Sequence, residues 1–192
     1  QDASLTLDGG TFSTGSLAGS GFTWNSGTLQ INDALTVGSG EAEFADTLVI
    51  DGSKNLSAPT LVATDGELRI AGGQLDVDAV SADGFAGGRV RFESGTLNQA
   101  DDLTFGLNGI SGTALDEDTV RLVANDFVNI GDTASTPSSG TPSTISSVNV
   151  ESGAAVVIDG GQLTSNTMGT IDGDLHYENG FVRINNGDLR LG

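Results

Sequence analysis

The sequence predicts an all-β chain, wound as a parallel β-helix (β-solenoid) of irregular coils of roughly 22 residues. Three observations predict it. An octet recurs along the chain, its copies are spaced near multiples of one period, and no uninterrupted stretch carries apolar residues at i, i+3, i+4 and i+7. The octet reads apolar, any, apolar, polar, small, Gly, any, apolar. Its copies begin at Leu5, Phe22, Leu68, Val90, Val156 and Val182, with a weaker one at Val148.

The apolar-any-apolar opening has the period of a strand and puts two apolar side chains on one face. These residues are mostly β-branched or aromatic, or leucine, and suit a half-buried pleat. The small-Gly pair then breaks the strand, since Gly accepts positive φ at no steric cost. The last apolar residue restarts the alternation. A hairpin shares this grammar, so an antiparallel β-sandwich is the alternative architecture. Spacing favours the helix. The corner glycines Gly27, Gly73, Gly95, Gly161 and Gly187 are separated by 46, 22, 66 and 26 residues, each the difference of neighbouring positions. Solenoid repeats live in this range. Gly10 precedes Gly27 by only 17 residues, so the first coil is short or acts as a cap.

Taken in order, residues 1–60 read as short strands at Ser4–Leu7, Gly21–Trp24, Thr28–Ile31, Leu35–Val37, Ala42–Phe44 and Thr47–Ile50. Trp24 occupies an octet slot held elsewhere by aliphatics or Phe, which makes it a core filler. Residues 61–106 are the most regular, with strands at Leu61–Ala63, Glu67–Ile70, Gln74–Val77, Arg89–Phe92, Gly95–Asn98 and Leu103–Phe105. Residues 107–147 break the pattern. Asp116-Glu117-Asp118 is an acidic cluster before the apolar run Val120–Ala124, and a Ser/Thr/Pro-rich loop insertion follows at about 132–147, with Pro137 and Pro142. A loop of that length inside one compact unit is an insertion on the face of the array. The pattern resumes to Gly192, so residues 1–192 form a single β-solenoid domain, with Leu189–Leu191 still strand-like.

Composition narrows the function classes. The formal net charge is −19, from 26 acidic and 7 basic residues, which repels nucleic-acid phosphates and anionic membrane surfaces. No apolar run is long enough to span a bilayer as a helix. Cysteine is absent, so sheet hydrogen bonds and stacking hold the fold. The opening Gln1-Asp2-Ala3 fits a mature chain after removal of an export signal, which makes the expected location secreted or at the cell surface.

No catalytic set assembles from the residues. His176 is the only His, and without Cys a zinc site of the usual N/S type cannot be assembled within one chain. There is no G-x-S-x-G elbow and no phosphate-binding P-loop. Carboxylates are too scattered to nominate an acid/base pair. Asp76 and Asp78 alternate with Val77 on one strand, and Asp116 and Asp118 sit in the acidic cluster. Oxygen ligands suit Ca²⁺, so these four are the candidate metal ligands, though no EF-hand or Ca²⁺-binding nonapeptide series occurs. No other cofactor is expected. Arg69, Arg91 and Arg183 share the second octet position, which faces outward, and read as solvated surface residues.

Val90–Leu97 and Val156–Leu163 resemble the degenerate repeats of autotransporter passenger domains, and are similar to Gly/Thr/Asn-rich repeats of other secreted bacterial surface proteins. The resemblance covers about residues 1–106 and 147–192. It implies a right-handed parallel solenoid, export from a bacterium, and a structural role in a filament, surface layer, biofilm matrix or adhesin shaft. The expectation is a non-enzymatic extracellular protein that self-associates, with surface glycans as a second class of partner. The alternative is a carbohydrate-binding or carbohydrate-cleaving β-helix protein, which needs aromatics or carboxylates gathered on one outward face. A third expectation, ice binding, needs a regular Thr ladder. Thr11, Thr28 and Thr96 share a position, but Gln74, Gln162 and Asp188 interrupt it.

Overall fold

A computed structural model describes residues 5–17, 21–38, 46–84, 86–131 and 146–185. Among them there is no helix. Fifteen strands make one open sheet, and every ladder between named strands is parallel. The antiparallel sandwich allowed by the same Gly corners therefore does not form. An isolated antiparallel bridge joins Thr113 to Asp116.

The strands are β1 (Leu5–Thr14), β2 (Phe22–Ile31), β3 (Leu35–Val37), β4 (Thr47–Asp51), β5 (Lys54–Ala63), β6 (Glu67–Ala82), β7 (Arg89–Gln99), β8 (Leu103–Phe105), β9 (Ile110–Ser111), β10 (Thr119–Val123), β11 (Phe127–Ile130), β12 (Ser147–Val150), β13 (Ala155–Ser165), β14 (Thr167–Ile171) and β15 (Asp174–Ile184). They fall into three ladders. The first holds the chain before each octet corner: the early halves of β1, β2, β6, β7, β13 and β15, with β4, β9 and β10. The second holds the chain after the corner and is unbroken. Its inward column runs Phe12, Leu29, Leu56, Leu75, Leu97, Val128, Leu163, Val182. The third holds β3, the ends of β5 and β6, β8, β12 and β14.

Period-two alternation explains the burial. In β6, Leu68, Ile70, Leu75 and Val77 point inward and are fully buried, while Arg69, Gln74 and Asp76 between them are half-buried. One core cluster runs from Leu7 to Leu163, with Phe92 and Phe105 its largest members. Each of the six inner residues of the second ladder removes its side chain from water, which contributes about 1.5–3 kcal/mol apiece.

The corner glycine is dictated by stacking as well as by φ. At Gly95, φ is +108°, and an added Cβ would lie 2.4 Å from the carbonyl oxygen of Gly73 in the neighbouring repeat. Gly27 stands in the same relation to Gly10, and Gly180 to Gly161. At these three corners backbone packs on backbone, with no room for a Cβ.

Three sequence expectations need correction. The octet copy assigned to Val182–Leu189 is out of phase. Register pairs Tyr177 with Ile158 and Val182 with Leu163, so the copy that stacks on Val156–Leu163 is Leu175–Val182, with its corner at Gly180; residues 186–189 lie outside the described residues. The weak copy at Val148 belongs to the third ladder, where β12 pairs with β8 and β14. Two further copies, Leu48–Leu56 and Val120–Val128, were hidden because each carries one extra residue at its corner. Asp51 faces both Ala71 and Gly72, and Val123 faces both Asp159 and Gly160, so the surplus falls just after them, where residues 52–54 stand against Gly73 alone and residues 124–126 against Gly161 alone.

The period also varies more than a 22-residue coil implies. Steps along the second ladder are 17, 27, 19, 22, 31, 35 and 19 residues, each the difference of neighbouring positions in the column above. The expected strand Ala42–Phe44, the strand-like Leu189–Leu191 and residues 132–145 of the insertion lie outside the described residues. Ser146 and Ser147 already belong to the third ladder. Ser146 Oγ donates to Ala100 O at 2.5 Å, and Ser147 N to Asp102 Oδ1 at 2.6 Å.

Candidate functional site

The polar chemistry of the described residues is concentrated on the outward rows of the first two ladders. On the first ladder, β6 and β7 place Arg69 opposite Arg91 and Glu67 opposite Arg89. Two arginines face to face would repel, but their neighbours lie within diagonal reach. Arg69 donates to Glu93 through Nε and Nη2, both at 2.9 Å. Arg91 Nε reaches Glu67 Oε2 at 2.8 Å, and its Nη2 reaches Glu117 Oε1 at 2.7 Å. Arg91 is only 5% exposed. The expectation of a solvated residue therefore fails for Arg91, because Glu117 on the loop before β10 folds over it. Arg183 is exposed, but it follows the corner, opposite Thr164, and so does not hold the second octet position at all. Arg121 extends the charged row to the next repeats, 3.1 Å from Asp159 and 3.5 Å from Glu178.

These contacts set the protonation behaviour. Burial alone would lower the Arg91 pKa, and this is the largest single influence. The hydrogen bonds and charges of Glu67 and Glu117 together outweigh it and raise the value. The hydrogen bond and charge of Arg91 hold the Glu117 carboxyl below its usual range. Asp51 is also lowered, chiefly by the hydroxyl and backbone N–H of Ser53, with help from Lys54. Lys54 is the chain's single lysine. It sits 3.1 Å from Asp51 and 5.7 Å from the ring centroid of Trp24. Trp24 itself packs half-buried against the core.

On the second ladder an amide row replaces the ions. Asp76, Asn98 and Asn129 are register partners. Asn98 Nδ2 donates to Asp76 Oδ1 at 2.6 Å, Asn129 Nδ2 donates to Asn98 Oδ1 at 2.9 Å, and Gln74 Nε2 reaches Asp76 Oδ2 at 2.8 Å. At the next corner, buried Asp126 accepts the Gly95 N–H and the Val123 N–H, both at 2.9 Å. Its carboxylate substitutes for ladder carbonyls where the extra residue opens the backbone.

The four candidate metal ligands fall in two places. Asp76 and Asp78 lie half-buried on β6, and both oxygens of Asp76 accept amide hydrogens. Asp116 and Asp118 are exposed between β9 and β10. Among the described residues, no group of three or more His, Cys, Asp or Glu is arranged to hold a metal ion. An open depression of about 200 Å³ is lined by Arg89, Leu107, Glu117, Asp118 and Glu151, among others. Arg89 spends Nη1 on Gly84 O and Gly88 O. His176 is exposed on β15, opposite Val157.

The outward positions of the second ladder follow from register alone. The row Gln74, Thr96, Phe127, Gln162, Phe181 turns away from the core column. Sequence reasoning missed the two phenylalanines as one row, because the hidden copy at Val120 and the phase error at Val182 removed both from alignment. Comparison with known proteins finds no family model, no curated protein and no solved structure that matches the chain.

Proposed function

We propose that the chain is a parallel β-solenoid with a structural, non-enzymatic role outside a bacterial cell, as part of a filament, surface layer or adhesin shaft. The unbroken second ladder carries this reading: eight repeats stack their backbones in register over a single apolar column. Such an array is stabilised by nearest-neighbour interfaces and extends by adding repeats. The polar side chains support the same role. Arg69, Arg91, Asn98 and Asn129 spend their donors on neighbouring repeats, which holds coils together and leaves few groups for chemistry.

Negative-stain electron microscopy of the purified chain, with and without EDTA, tests the proposal. Long fibres or sheets of uniform width are expected. Their loss in EDTA would assign the acidic surface a cation-bridging role. Dispersed single particles in both conditions, at all concentrations tried, would overturn self-assembly.

One observation favours a second reading, glycan binding. Phe127 and Phe181 lie two strand steps apart on one outward row, about 10 Å at the usual strand spacing. Gln162 lies between them. Aromatic faces above an amide-bearing sheet suit an extended polysaccharide. Retardation in gels containing soluble polysaccharides, lost in Phe181→Ala, would support it.

A further inference from the structure

We infer that copies of this chain join head to tail, the β15 edge of one adding in register to the β1 edge of the next. This rests on the self-assembling solenoid proposed above and adds the contact itself.

Two strand edges carry no partner among the described residues. Among the described residues, β1 pairs only with β2, and β15 pairs only with β13. Both present apolar side chains at positions that are fully buried in inner repeats. Ile158, Leu163 and Leu29 are fully buried, whereas Tyr177, the register partner of Ile158, is 51% exposed. Leu5 is 44% exposed at the other edge, and Phe12 and Val182, the two ends of the apolar column, are half-buried.

The edges also match in phase. Leu175–Val182 and Leu5–Phe12 are both copies of the octet, at the two ends of the array. The inner pairing rule can therefore be applied directly. It aligns first positions with first positions before the corner, as in Leu5 with Phe22, and last with last after it, as in Leu163 with Val182. Across the junction it places Leu175 against Leu5, Tyr177 against Leu7 and Val182 against Phe12. The corners agree as well. An added Cβ at Gly27 would meet Gly10, and one at Gly180 would meet Gly161, but Gly10 has nothing within 4 Å on its open side. A copy's Gly180 corner fits that place as Gly10 fits beneath Gly27. Backbone pairing at an open strand edge supplies affinity, and the alternate side chains supply register. The contact is heterologous and does not close, so it propagates as a fibre.

The chain has no cysteine, so an engineered pair reports the junction without background. Thr6 and His176 are exposed, outward and opposed in the inferred register. In-register strands stand about 4.8 Å apart, within the usual Cα separation of a disulfide, about 4.4–6.8 Å. After mild oxidation, the Thr6→Cys/His176→Cys variant is expected to run as a ladder of trimers and higher species on a non-reducing gel. Thr23→Cys/His176→Cys, one strand step further away, should stay monomeric. Tyr177→Asp should abolish the ladder in the cysteine-pair background and weaken association at least tenfold by sedimentation, with the circular dichroism of the monomer retained. Fibres of the Thr6→Cys/His176→Cys variant that give no cross-linked ladder would overturn the register and leave self-assembly standing. Monomers throughout, with neither fibres nor cross-links, would overturn both.

Discussion

Arg91 shows how a residue in an outward slot becomes structural. Its guanidinium lies between Glu67 and Glu117 and is almost wholly covered. Replacing Arg91 by Ala should lower stability by about 3 kcal/mol, because it leaves two carboxylates facing each other without their shared cation. The urea midpoint measures this, and a shift under about 0.5 kcal/mol would reduce the contact to an ordinary surface pair. The same contact gives a pH dependence of defined sign. The Glu117 pKa is lowered in the fold, so its contribution is complete above the ordinary glutamate value of about 4.3 and is lost as pH falls through the lowered value. Asp51 acts in the same direction at slightly lower pH. Acid titration of the wild type should therefore lose stability below about pH 4.3. The loss should be smaller in Glu117→Gln.

Glycines at this scale separate two kinds of constraint. Gly95 has both a positive φ and a carbonyl oxygen 2.4 Å from any added Cβ, while Gly153 has φ of +87° and open space around it. Gly153→Ala should cost about 1 kcal/mol from backbone strain alone. Gly95→Ala should cost clearly more, because the Gly73 backbone must also move. Equal losses in thermal or urea melts would show that φ, and not coil-to-coil approach, selects glycine at the corner.

At the level of elements, the second ladder is the spine. It passes through β1, β2, β5, β6, β7, β11, β13 and β15 without a break. The first ladder is interrupted between β2 and β4 and again between β9 and β10, and the third between β6 and β8. A cavity in the spine opens two coil interfaces at once. Leu97→Ala should therefore cost about 2–5 kcal/mol, within the range for buried leucine. Val182→Ala, half-buried at the edge, should cost under about 1 kcal/mol in the dispersed chain. Chemical denaturation of both variants under non-associating conditions makes the comparison. A large loss for Val182→Ala would mean that the edge is already covered in the monomer.

For the whole molecule, the net charge of −19 opposes association. Screening shortens the reach of that repulsion to about 8–10 Å at physiological salt. Head-to-tail growth should accordingly be slower at low ionic strength than at about 0.15 M, as followed by light scattering. The charged row of the first ladder behaves differently, since its carboxylates already lie against Arg69, Arg91 and Arg121. Salt therefore acts mainly on the repulsion between copies. Fibre growth that is fastest at low salt would point to attraction between unlike patches in place of the apolar edge contact.

Local chemistry determined a good deal without tertiary structure. Alternation of apolar residues and the polar-small-Gly corner were enough to mark strands such as Leu35–Val37, Leu61–Ala63 and Leu103–Phe105 where strands are observed, because period and glycine tolerance are properties of a few adjacent residues. Pairing was a different matter. A corner looks the same whether the next strand turns back beside its neighbour or climbs to the next repeat, so parallel stacking could be decided only by contacts between residues 17–35 positions apart along the spine. The phase of the last copy, the two copies lengthened by one residue, the row linking Phe127 to Phe181 and the burial of Arg91 all depend on what lies across that gap. Their partners are set by insertions the local pattern does not encode. Only the stacked fold brings such residues within hydrogen-bond and van der Waals range, and that is where their roles are settled.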